Sequence, residues 1–177
     1  MKKLLFALIF ICSLSVFGQE PTYRQVVTEY LNVNGTTQQY QQAIDQLFDL
    51  LKQQFKDQEV QDSDWSALRK DAQPAIQQIK AMLVSAYRGS FEKEEIQEML
   101  EFYKTNTGKQ LLLDQTAMTE DQKQKAAVFY NSPTGQKILT SQGEISRRVG
   151  EVSEIWSRDL YRGMIDKLAE KGFILQQ

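Results

Sequence analysis

Four carboxylates fall within one short stretch of this chain, at Glu94, Glu95, Glu98 and Glu101. On a helix, Glu94 and Glu98 share a side, as do Glu98 and Glu101, because residues three and four apart are neighbours. Such a set is the chemistry of a hard-cation site or of an acid–base pair acting on a sugar. Lys93 and Lys104 lie beside it, so the favoured expectation is a solvated charged face. A second constellation joins two tyrosines to two lysines. Tyr103 and Tyr130 each follow a phenylalanine, and Lys109 and Lys137 come a few residues later. These four are the candidate ligand-binding residues, with rings lining a groove and a lysine reaching an anionic group. The competing expectation, and the stronger one, is structural: two Phe-Tyr pairs filling a junction between helices.

The absent residue types exclude more than the present ones suggest. The chain has no histidine, and its one cysteine is Cys12. Ser-His-Asp and Cys-His nucleophilic sites are therefore ruled out, as are zinc and haem sites ligated by imidazole. No catalytic residue, metal or cofactor is expected. Ser90-Phe91-Glu92-Lys93 has a serine one turn from a lysine, but no companion motif accompanies it. Thr107-Gly108-Lys109 lacks the upstream glycine of a P-loop, and Gln110 stands where Ser or Thr is required. The chain is slightly acidic, at −2, and Arg147, Arg148, Arg158 and Arg162 alternate with Glu144, Glu151, Glu154 and Asp159. That is a salt-bridged helix face, and nucleic-acid binding is not expected.

The elements that must position these residues read as helices throughout. Val26, Val27, Tyr30 and Leu31 mark one face, and Asn32 to Gly35 breaks it, with Thr36 or Thr37 as the next cap. Ile44, Leu47, Phe48, Leu51 and Phe55 mark the next helix. A third pattern runs from Trp65 to Ala86, with Pro74 kinking or dividing it. A last helix is predicted over 146–171, ended by Gly172.

Between them the sequence repeats itself. Phe102-Tyr103-Lys104-Thr105-Asn106-Thr107-Gly108 returns as Phe129-Tyr130-Asn131-Ser132-Pro133-Thr134-Gly135, and each run is followed by an aliphatic pair. Ser132 can cap a new helix with Pro133 at its first position, and Thr105 can cap its counterpart. Phe102, Gly108, Phe129, Ser132, Pro133 and Gly135 form the structural motif. Gly108 and Gly135 fall in first helical turns, where glycine costs about 1 kcal/mol against alanine. Something is expected to approach the backbone there. The predicted fold class is all-α: an irregular helical bundle with two similar helix-turn-helix units.

The N-terminus reads as a targeting segment. Lys2 and Lys3 precede an apolar run to Val16, which is shorter than the ~20 residues a spanning helix needs. Residues 1–18 are expected to be a signal peptide cleaved near Gly18, leaving 19–177 as one all-helical domain. Its loss would take away two lysines and Cys12, so no disulfide is expected. The destination is the periplasm or the exterior, with no membrane span after cleavage.

Tyr87, Phe91 and Ile96, followed by Phe102-Tyr103 and then by Phe129-Tyr130-Asn131-Ser132-Pro133-Thr134-Gly135-Gln136-Lys137-Ile138-Leu139, resemble the bacterial DUF2059 family. Its hallmark is close to F-Y-x-S-P-x-G-x-K with a following aliphatic pair. The second run keeps it fully. Tyr87 and the acidic stretch before Phe102 match the family arrangement for the first, so the hallmark fits either pair. The core of the resemblance covers about residues 80–145. It implies an exported helical protein of a Gram-negative envelope, and the family has no established activity to carry over. The leading expectation is a non-enzymatic interaction protein with an envelope partner. The alternatives are a small-molecule module at Tyr103 and Tyr130, and a carboxylate-based hydrolase. Monomer and homodimer both remain open.

Overall fold

The computed structural model describes residues 20–175. The expected signal segment, 1–18, lies outside the described residues. Helix α1, Tyr23–Val33, starts with a reciprocal cap in which Thr22 and Gln25 each bond the other's backbone N–H. Its four inward residues, Val26, Val27, Tyr30 and Leu31, are those of the predicted face. Gly35 then takes a left-handed conformation, with φ of 86°, and α2 covers Thr36–Gln54. Neither threonine caps α2. Thr37 instead donates its hydroxyl back to the Leu31 carbonyl at 2.9 Å, tying α2 to the end of α1.

Pro74 divides the third pattern cleanly. Helix α3 spans Asp62–Ala72 and α4 spans Pro74–Arg88, with the proline in the first turn where no N–H is needed. Helix α5, Lys93–Lys104, and α6, Asn106–Leu113, meet at Thr105. A short 3-10 turn follows, then α7, Glu120–Tyr130, and α8, Pro133–Glu170. No strand occurs among the described residues, so the fold is an all-helical irregular bundle.

Helix α8 differs from expectation. It begins at Pro133, not near Ser146, and runs 38 residues without a break. Gly143 and Gly150 lie inside it with open space where a side chain would go. Their propensity cost, about 1 kcal/mol each, is overridden by packing along the rest of the helix. Gly172, with φ of 90°, ends α8 as expected. The Phe173 N–H reaches back to Leu168 O and the Gly172 N–H to Ala169 O, the paired bonds of a Schellman cap.

The core joins α1, α2, α4, α5 and the second half of α8. Leu31, Phe48, Leu51, Ile79, Leu83, Ile96, Leu100 and Leu168 are fully buried in it. Trp156 anchors α8: its Nε1–H donates to Ala75 O at 3.0 Å and its ring meets Tyr40 edge-on at 5.2 Å. Lys80 is a buried cation of α4. Its ammonium donates to Asn32 Oδ1 at 3.0 Å, at the C-terminal end of α1 where a positive charge is favoured. A smaller cluster of Phe102, Met118 and Ala126 closes α5, α6 and α7 together.

Candidate functional site

The site sits where α5 turns into α6 and α7 turns into α8. Thr105 and Ser132 hold both turns, each in extended backbone and each accepting the N–H of the glycine three residues on. The bond lengths are 3.0 Å at Gly108 and 3.1 Å at Gly135. The two turns also share a backbone bond, from Thr105 N–H to Phe102 O and from Ser132 N–H to Phe129 O, both 3.0 Å. The reason for the glycines is then visible. A Cβ on Gly108 would lie 2.3 Å from Phe102 O, and one on Gly135 would lie 2.2 Å from Phe129 O. The approaching group is the last turn of the preceding helix. The threonine before each glycine, Thr107 and Thr134, is buried as well.

The aromatic pairs meet like against like. The Phe102 and Phe129 rings stack in parallel, with centroids 4.0 Å apart and planes within 2°. The hydroxyls of Tyr103 and Tyr130 lie 3.3 Å apart. Tyr103 also leans on Tyr30 of α1, at 5.9 Å, which ties the pair to the main core. No ring or chain fits between two faces in van der Waals contact.

Two stretches of the chain match the model of a family of uncharacterized proteins conserved in bacteria, residues 77–121 and 115–162. The first contains Phe102-Tyr103 and its turn, and the second contains Phe129-Tyr130 and its turn. The chain matches the DUF2059 family. No curated protein and no solved structure matches it.

Within the DUF2059 segment the predicted site residues part company. Tyr103 and Tyr130 come together. Lys137 is held by both carboxylate oxygens of Glu95, at 2.8 and 2.6 Å, with the Phe91 ring 5.8 Å away. Lys109 is exposed on α6 and makes no ion pair among the described residues. Burial, and then the Tyr130 hydroxyl, pushes the Tyr103 phenol far above its ordinary range. It is a neutral donor and acceptor, with no access to the phenolate at physiological pH.

Glu94, Glu98 and Glu101 are exposed, as the sequence suggests, and Glu95 alone of the four is partly buried. Glu95 and Glu98 both grip the start of α8, Glu95 through Lys137 and Glu98 by accepting from the Thr134 hydroxyl. Glu94 and Glu101 remain on the surface, near Lys93 at 3.8 Å and Lys104 at 3.5 Å. No group of three metal-ligating side chains forms among the described residues. Sequence reasoning misses the Glu95–Lys137 contact because the partners are far apart in the chain. The signal available is that Lys137 occupies a hallmark position.

Glu95 gives the site a pH dependence. Burial raises its carboxyl, but Lys137 and the Glu92 backbone N–H outweigh burial and hold it below the ordinary range. A depressed carboxyl stabilises the fold above about pH 4.3, its unfolded value, and that stability is lost as pH falls through the folded value. Glu95→Gln should therefore flatten the loss of stability as pH falls below about 4.3, measured by urea unfolding across pH. Parallel curves for the variant and the parent would show that the pair contributes nothing.

Proposed function

We propose that this protein is a non-enzymatic interaction protein of the bacterial periplasm, built on two equivalent helix-turn-helix units that present an apolar face to an envelope protein. The observation that carries this reading is where apolar side chains remain exposed. Of seven large hydrophobics exposed on the described residues, four fall between 112 and 139: Leu112 at 42%, Leu113 at 81%, Val128 at 69% and Leu139 at 51%. Leu112 and Leu139 occupy the same position after the two glycines. Exposed apolar groups mark a contact surface where they join in one contiguous patch.

Other features support the reading. The chain has no histidine and its one cysteine, Cys12, falls in the expected signal segment, and Glu95, Glu98 and Tyr103 are engaged in structural contacts. The basic, apolar start of the sequence supports export. No helix among the described residues is long and apolar enough to cross a membrane.

The double variant Leu113→Glu, Val128→Glu tests the surface. Both positions are exposed, so stability should change by no more than about 0.5 kcal/mol per site. Co-purification of the partner from detergent-solubilised envelopes should be lost. Unchanged capture by a folded double variant would place the contact elsewhere.

A further inference from the structure

A second feature does not use the exposed leucines. A cavity of about 170 Å³ opens between α1, the junction of α4 with α5, and the first half of α8. Three aromatic rings form one wall. Tyr30 and Tyr87 meet edge-on at 5.6 Å, and Phe91 leans on Tyr87 at 6.3 Å. Met99, Ile138 and Ile145 supply the aliphatic side, and Gln142 and Ser146 of α8 border it at the surface.

Three properties define what fits. The volume is that of a single ring system, since an engineered apolar cavity of about 150 Å³ takes up benzene. No charged side chain lines it, so an ion would find no partner of opposite charge there. Its lining is neutral: the Gln142 amide and the Ser146 hydroxyl border it, and two tyrosines supply ring faces and edges. Those tyrosines are more than nine-tenths buried, Tyr30 being 8% exposed and Tyr87 9%. Burial, ahead of their neighbours, raises both phenols, Tyr87 to about 12, so the lining stays uncharged across the physiological range.

We propose that this cavity binds a small, uncharged aromatic molecule carrying a hydrogen-bonding group, of the indole or phenol class. The rings of Tyr30, Tyr87 and Phe91 offer edge and face contacts to the ligand ring, and the neutral polar groups receive its N–H or O–H. Tyr30 comes from outside the DUF2059 segment and the other lining residues come from within it. The site therefore depends on α1 docking against that segment. It does not rest on the interaction reading above.

The test is titration of the full mature chain with indole, followed by NMR shifts and calorimetry. Indole-3-acetate, the same ring with a negative charge, is titrated alongside. The expected result is saturable indole binding at about 1 mM or tighter, with at least about tenfold weaker binding of the anion. Ser146→Phe places a ring at the edge of the cavity from an exposed position, which spares the core. It should weaken indole by about tenfold or more while leaving the circular dichroism spectrum unchanged. Ile138→Phe fills the cavity from the other direction and should do the same. Absence of saturable binding would overturn the proposal. So would equal binding of the anion, or indole binding that survives both substitutions.

Discussion

Gly135→Ala should destabilise the protein by about 3 kcal/mol, although alanine is the better helix former by about 1 kcal/mol. The added methyl would meet Phe129 O at 2.2 Å and the Tyr130 Cα at 2.5 Å. Both atoms are backbone, held by the end of α7, so neither can swing aside. Relief requires α8 and α7 to separate, which strains the Lys137–Glu95 contact if α8 moves off α5, or the Phe102–Phe129 stack if α7 moves instead. Gly108→Ala should behave alike, with Phe102 O at 2.3 Å. The control lies in the same helix as Gly135. A methyl group added at Gly143 or Gly150 would find nothing within 4 Å. Alanine at either should raise stability by up to about 1 kcal/mol. Thermal and urea unfolding of the four variants gives opposite signs for the two classes. If Gly135→Ala proved as stable as Gly143→Ala, close approach would not be what keeps glycine at the turn.

Removing the ring of Phe102 should be the costliest change at the aromatic pair, at about 3–5 kcal/mol. Phe102 is 9% exposed, stacks on Phe129, and also packs with Met118 and Ala126 in the smaller cluster. Phe129 has the same place in the repeated motif but is only partly buried, so Phe129→Ala should cost about half as much. A double-mutant cycle isolates the stack. The two losses should overlap by about 0.5–1.5 kcal/mol, the range for aromatic pairs beyond area burial. Additive losses would mean that the rings are merely adjacent. Unfolding must be followed by both circular dichroism and tryptophan fluorescence, because Trp156 reports on the main core while the substitutions sit at its edge.

Local rules make much of the fold legible. Thr105 and Ser132 as caps, Pro133 in a first turn, Pro74 as a divider and Gly172 as a terminator each act within a few residues, so the sequence shows them directly. The apolar face of α1 follows from spacing alone. What stays hidden depends on pairs far apart in the chain. Glu95 looks like one more surface carboxylate until α8 brings Lys137 to it. Tyr30 looks like a core residue of α1, and only packing places it beside Tyr87 and Tyr103. The continuity of α8 is hard to read, because the helix restarting at Pro133 and the one predicted over 146–171 look like separate elements, whereas tertiary packing of the distant half, through Trp156, Met164 and Leu168, carries one helix through both. The glycines of the motif signal a close approach in the sequence, but they do not name the partner. It is the carbonyl six residues upstream, brought back by the turn that the serine or threonine caps.

In-cell photocrosslinking tests the interaction reading most directly. A photoreactive residue is placed at Val128, the exposed aliphatic of α7, and, as a control, at Gln46 on the exposed side of α2. The expected result is one discrete adduct with an envelope protein from Val128 and none from Gln46. No adduct from Val128 in a folded, exported protein, or the same pattern of adducts from both positions, would contradict it.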